Sequence, residues 1–406
     1  MSKSKNCVFK NILKLKWEQY FLNQIKEITK NKKLYNRYLL SENKNITMEI
    51  IENNIEFPWE WPNVSGNPNL TIDFVKKHIE KNWDWHEISK NKGILLKDIE
   101  NNLDLPWKWD YVSKNPNLTI NFVKKYKNTD IITHSRNDYD SENDYDSEND
   151  YDSDESDFES NDWDWGYLVT HENITPESIN KNLDLPWGDD DFEYISNNPN
   201  LTIDFLIKNL DNFPFNWELL SSNPTIKLKD IEANPDLPWD YNEMSSNPNI
   251  TIDFVKKNLN NFRFNWRLLS SNPNIKLKDI EANPDLPWDY NEMSSNPNIT
   301  IGFVKKNLDK NLNWNSISKH KKIKMKDIED NLDLPWSWKF VSQNPNITFE
   351  FIKKHKDKNF HYSDFFSNEF NYERNKFKEI GKKIILKFCF PDSIPYEIRK
   401  NIMDNY

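Results

Sequence analysis

Residues 247–295 read NPNITIDFVKKNLNNFRFNWRLLSS, then NPNIKLKDIEANPDLPWDYNEMSS. The 49 residues before them, 198–246, match at 42 of 49 positions. Near-identity at a fixed spacing marks tandem duplication, so the repeat has to be read before any motif. The stretch is itself two related halves of 25 and 24 residues. Each half opens on Asn-Pro, carries an apolar run, reaches an aromatic residue and closes on Ser-Ser.

Outward from this stretch, twelve such units begin near Asn43, Asn67, Asn91, Asn115, His171, Asn198, Asn223, Asn247, Asn272, Asn296, His320 and Asn344. Two types, one carrying FVKK and one carrying KDIE, alternate. Each unit reads as two short helices. Thr251 is a suitable N-cap, because its hydroxyl can accept a free first-turn N–H, and Asp253 suits the positive end of the helix dipole. Thr175-Pro176-Glu177 adds proline at the first helical position. Pro284 disfavours a helical residue before it and ends the KDIE helix near Asn283. A second helix, about two turns and partly 3₁₀, is expected from Pro287-Trp288 to Met293. Helices this short are marginal alone and persist only by packing on neighbours. The expected fold is an all-α solenoid with no sheet. With helices packing about 8–10 Å apart, it should be on the order of 100 Å long.

Residues 1–42 are expected to form an N-terminal helical cap, with Trp17, Tyr20, Phe21, Ile25 and Ile28 at helical spacing. Leu39-Leu40-Ser41 resembles the Leu268-Leu269-Ser270 end of a unit. The array spans 43–368, and residues 369–406, with Phe377, Ile380 and Ile384, suggest a C-terminal helical cap. An acidic insertion, 131–161, interrupts the fourth unit. Its stretch Asn137–Glu159 holds twelve acidic residues and no basic one. Such composition predicts disorder. Ser141, Ser147 and Ser156, each with an acid three residues on, are candidate phosphorylation sites. A smaller insertion, Gly188-Asp189-Asp190, lies in the next unit, so both are expected to emerge on one side of the array.

The whole chain has 406 residues, 17 of them Trp, and a net charge of −11. The insertion accounts for that charge, and the repeats are near neutral. They give no general case for nucleic-acid or membrane binding. No apolar run approaches the roughly 20 residues that span a bilayer. Two cysteines, Cys7 and Cys389, are no disulfide framework, and a reducing compartment is the simpler reading.

The motif NPNIT, a helix, then PW-x-W or PW-x-Y and a hydrophobic-Ser-Ser close resembles the uncharacterised tandem-repeat proteins of mimivirus-like giant viruses. The Asn- and Lys-rich composition, with six glycines, agrees with such a source. A weaker likeness is to leucine-rich-variant repeats, whose α/3₁₀ alternation implies a solenoid. The resemblance implies a viral protein acting inside the cell, in the host cytoplasm, and carries no activity with it.

No phosphate-binding glycine loop, HExxH or GxSxG motif is present, and the histidines show no metal spacing. A carboxylate copied into every unit reads as structural, so neither enzymatic activity nor a cofactor is expected. The tryptophans after Leu-Pro, Trp107, Trp187, Trp239, Trp288 and Trp336, read as inter-unit core. The lysine pairs Lys76-Lys77, Lys124-Lys125, Lys256-Lys257, Lys305-Lys306 and Lys353-Lys354 would line one stripe if stacked. They are the candidate partner-binding residues. The competing reading is a face neutralised by i,i+4 pairs such as Asp73–Lys77 and Asp253–Lys257. The functional expectation is a non-enzymatic protein-interaction scaffold. The alternative is a helical-repeat protein that binds nucleic acid, of the kind that reads one base per unit.

Overall fold

The computed structural model describes residues 16–28, 37–127, 163–188 and 190–389. Over these residues the chain is helical with no strand, and short helices alternate along it. The local causes are those the repeat chemistry implies. Thr251 Oγ1 accepts the Phe254 N–H at 3.2 Å, and Thr300 Oγ1 the Phe303 N–H at 3.3 Å. In the KDIE units the cap works in reverse. Asp279 reaches back to accept the Lys276 N–H at 2.9 Å. The first helix then ends on an asparagine whose side chain folds back, as when Asn283 Nδ2 donates to Asp279 O at 2.7 Å. The Trp288 indole donates to Asn283 O at 2.8 Å and fixes the following turn. The second helix therefore starts later than the sequence suggests, at Tyr290, and is only four residues long.

Successive units are tied by the first asparagine of each Asn-Pro. Asn296 Nδ2 donates to Ser270 O, Asn272 O and Ile275 O at 2.9, 3.0 and 3.2 Å, all in the preceding unit. Its Oδ1 accepts the Asn298 N–H at 2.9 Å. The same bonds recur at Asn67, Asn115, Asn247 and Asn344. Histidine replaces asparagine twice and copies its role. His171 Nδ1 accepts the Asn173 N–H at 3.1 Å, and its Nε2 lies 3.0 Å from Asn115 O. A parallel ladder is made by serine two residues before the rung in all units but those of His171 and Asn368, where Val169 and Phe366 stand instead. Ser270 Oγ accepts the Asp289 N–H and Ser294 Oγ the Asn313 N–H, at 2.9 and 2.8 Å. These serines are fully buried.

The rungs do not stop at the twelfth unit. Asn368 Nδ2 donates to Ser342 O and Asn344 O. Asn43 Nδ2 in turn donates to Phe366 O and Asn368 O, and Asn45 Nδ2 to Glu369 O. Each repeats a bond that other units make to their predecessors, in the same register. The array is therefore a closed ring with rungs at 43, 67, 91, 115, 171, 198, 223, 247, 272, 296, 320, 344 and 368. The contour of about 100 Å expected from helix spacing is thus bent into a circumference rather than laid out as a rod.

The thirteenth unit is composite. From rung Asn368 the chain does not enter a normal first helix but leaves the repeat path into Asn371–Cys389. Phe370 marks the departure with φ of 47°, the one positive φ on a non-glycine among the described residues, and its N–H is held by Asn368 Oδ1. The empty place is taken by the N-terminal helix, residues 16–28, followed by Arg37–Glu42 in the second-helix position. Trp17 Nε1 donates to Asn45 Oδ1 at 2.9 Å, Thr47 donates to Glu18 at 2.8 Å and Lys353 reaches Glu27 at 2.7 Å. Trp17, Phe21, Leu22 and Ile25 are buried in the joint. The two terminal helices expected to cap opposite ends instead meet each other. Phe377 packs on Trp17 and Tyr20 with centroids 5.6 and 5.8 Å apart, whereas Ile380 is exposed.

Two spacings set the curvature. Neighbouring second helices approach closely, with Cα atoms within 8 Å, across the small serines. Even the serine side chains Ser295 and Ser316 of adjacent units meet, at 3.1 Å. The first helices are held further apart, by phenylalanines and by long Lys–Glu pairs such as Lys306–Glu281. Both layers have one member per unit, so the closer-spaced second helices form the inner wall and the first helices the outer. Thirteen inner helices spaced about 8–10 Å apart put their axes on a circle of roughly 17–21 Å radius.

Candidate functional site on the inner wall

The lysine pairs lie on the outer wall, and the second lysine of each pair is neutralised across units. Lys77 pairs with Glu52, Lys125 with Glu100, Lys257 with Glu232, Lys306 with Glu281 and Lys354 with Glu329, at 2.6–3.5 Å. The partner is the KDIE-type glutamate of the preceding unit, not the acid one turn earlier on the same helix as the sequence suggests. The pairing holds the Glu52 and Glu329 carboxylates below the usual range, chiefly through the hydrogen bonds from Lys77 and Lys354. The first lysines differ. Lys76 and Lys124 donate to Asn102 and Asn182 of the next unit, and Lys353 donates to Gln24 and pairs with Glu27 of the composite unit. Lys256 and Lys305 make no ion pair among the described residues. A stripe spent on such bonds is a poor general anion-binding surface.

The tryptophans are core. Trp107, Trp187, Trp239, Trp288 and Trp336 are buried, and each meets an aromatic of the preceding unit edge-on. For Trp266–Trp288 the centroids are 5.2 Å apart and the planes 85° apart, the arrangement the ring quadrupole favours. The second aromatic is buried at Trp109 and half-buried at Tyr241, Tyr290 and Trp338. Ser141, Ser147, Ser156 and the whole of the acidic insertion 131–161 lie outside the described residues. Its flanking residues Lys127 and Trp163 stand where a first helix ends and a second begins. Gly188 lies just before a second helix too, at Asp190–Asn197.

What remains is the solvent-facing side of the inner helices. Three residues before the buried serines, the units carry Pro62, His86, Asp110, Glu218, Asn242, Arg267, Asn291, Asn315 and Lys339. The repeat dictates nothing at this position, although it holds the rung and serine positions nearly constant. Clefts open between units here. One of about 490 Å³ is lined by Glu193, Phe215, Trp217 and Glu218. Another of about 390 Å³ is lined by Trp266, Arg267, Trp288, Tyr290 and Lys310. Elsewhere Tyr111 is flanked by His86 and Lys90 of the preceding unit and by Lys114 of its own. Sequence reading missed this face because a non-repeating position inside a repeat looks like noise. The signal that would find it is that variability, set against the constancy of its neighbours.

Among the described residues no group of three or more His, Cys, Asp or Glu is placed to hold a metal ion. No described helix is long and apolar enough to cross a membrane. The buried titratable groups serve the frame. Glu373 accepts the Phe349 N–H at 2.9 Å and the Tyr20 hydroxyl at 3.2 Å, and burial pushes its carboxyl up. Burial, with Glu373 beside it, pushes the Tyr20 phenol up to about 12. No family model, no curated protein and no solved structure matches the chain.

Proposed function

We propose that the chain is a non-enzymatic interaction scaffold whose working surface is the inner wall of the ring, with proteins as its partners. One observation carries this reading. The fold constrains the rungs, the serines and the tryptophans in unit after unit, yet it leaves one solvent-facing position per inner helix free to differ. A free position repeated around a concave wall is a natural place for recognition residues. If inner-helix side chains take up ~5 Å of the radius, an opening of roughly 23–32 Å remains, wide enough for a polypeptide segment or a small helical hairpin. The nucleic-acid alternative is weaker. Base-reading solenoids need cations along the reading face, and here carboxylates such as Glu60, Asp84, Glu193, Glu218, Glu243 and Asp364 alternate along the inner helices with Lys90, Lys114, Arg267 and Lys339. The motif's resemblance to giant-virus repeat proteins would make the scaffold a viral one, acting in the host cell.

Photo-crosslinking tests the reading. A photoreactive residue at exposed Asn315 on the inner wall should yield protein adducts in cells, and one at exposed Asp253 on the outer wall should yield few. Adducts that are mainly nucleic acid, or mainly from position 253, would overturn it.

A further inference from the structure

The duplicated stretch supplies an internal comparison. Residues 198–246 and 247–295 differ at seven positions, and one difference reverses a charge on the inner wall: Glu218 stands where the later copy has Arg267. In the later copy the Arg267 guanidinium pairs with Glu292 of the next unit and lies 3.9 Å from Asp289. That cleft is self-neutralised. In the earlier copy the same two carboxylates are Asp240 and Glu243, held in the same local geometry. Asp240 accepts the Glu243 N–H at 2.8 Å, as Asp289 accepts that of Glu292 at 3.0 Å. The cation between them is replaced by a third carboxylate, Glu218. On its other side Glu218 shares the 490 Å³ cleft with Glu193. Glu193, Glu218, Asp240 and Glu243 thus lie on three consecutive inner helices, and none of them has a cationic partner among the described residues.

We propose that this arc is the docking site for an extended arginine- or lysine-rich segment of a partner protein, which supplies the cations that Arg267 supplies in the duplicate. The proposal rests on the inner wall being the working surface and names the chemistry of what it takes. The carboxylate pair is already known to suit a guanidinium, because its twin at Asp289 and Glu292 holds one. The cleft beside Glu218 adds the aromatic faces of Phe215 and Trp217, which accept the stem of a long basic side chain. Spacing fits as well. Inner helices about 8–10 Å apart match basic residues three apart on a polyproline II-like chain, which has three residues per turn and rises about 3.1 Å per residue, so that they share one face. Nucleic acid is repelled by the same carboxylates.

Fluorescence anisotropy of the full chain with a short labelled peptide carrying arginine at every third position tests this. The wild type should bind with a stoichiometry of one, more weakly as salt rises. Glu218→Arg, which copies a residue the fold already accepts at the equivalent place, should weaken binding at least tenfold. Arg267→Glu should open the twin arc and raise the stoichiometry to two. No binding by the wild type, equal binding by Glu218→Arg, or an unchanged stoichiometry in Arg267→Glu would each overturn the proposal. So would binding of a single-stranded RNA oligonucleotide in place of the peptide. Protein adducts at position 315 that are indifferent to Glu218→Arg would leave the scaffold reading standing and remove this one.

Discussion

Replacing the two histidine rungs by asparagine should remove a pH dependence of stability that the ring otherwise carries. His171 and His320 are buried and fill places that asparagine fills elsewhere. At each, Nδ1 must accept a backbone N–H, from Asn173 or Lys322 at 3.1 Å. At His171, Nε2 faces the carbonyl of Asn115 at 3.0 Å, and His320 makes the matching bond to Asn296. Only the neutral Nε2–H tautomer satisfies both ends, and a protonated ring would aim a second N–H at a donor. Burial therefore holds both histidines below their usual range, and Lys321 and Lys322 press His320 further down.

The sign follows from linkage. Below about pH 6.5 the unfolded chain takes up a proton at each histidine and the folded ring does not. The stability contribution is full above about pH 6.5 and is lost as pH falls through that value toward the lower folded one. The slope cannot exceed about 1.4 kcal/mol per pH unit for each histidine. Between about pH 6.5 and 5.5 the pair should therefore cost up to roughly 2.7 kcal/mol. Urea unfolding of the wild type and of His171→Asn/His320→Asn, followed by tryptophan fluorescence from pH 8 to pH 5, reads the difference directly. The two curves should run parallel above about pH 6.5 and diverge below it, with the double variant the more acid-resistant. Parallel curves throughout would refute the rung assignment, since the other histidines are common to both proteins.

Four further outcomes follow from the same frame. Asn296→Ala strips three donated bonds and leaves buried carbonyls unpaired, so it should destabilise by about 3–5 kcal/mol in the same assay. Trp17→Ala empties a buried site in the closing joint and should cost about 3–5 kcal/mol, while raising the radius of gyration in small-angle scattering as the ring opens. An unchanged radius would mean that the joint holds without this helix. Trp288→Phe keeps the ring packing but loses the indole bond to Asn283 O, and should lower stability by about 1 kcal/mol. Lys306→Glu on the outer wall breaks only an exposed pair, and thermal unfolding should register no more than about 1 kcal/mol.

Much of the frame was legible in the sequence. The 24- and 25-residue periods gave the units, Thr251 and its counterparts the first-helix starts, and Trp288 and its counterparts the core, because each depends on residues close in the chain. The rungs were only half legible. The asparagine before each proline reads as a turn residue, and its three bonds into the preceding unit depend on how units stack. The lysine partners were misread for the same reason: Lys77 meets Glu52, which is 25 residues away but adjacent in space. Closure belongs to tertiary structure alone. The bend per unit is a small difference between inner spacing across Ser270 and its kin and outer spacing across Phe254 and its kin. Thirteen such bends add up to one full turn, and no local pattern shows that they will. Nor does any local pattern show that residues 16–28 complete a unit begun at Asn368, more than three hundred residues later. That joint, and the inner wall it encloses, exist only once the ring has closed.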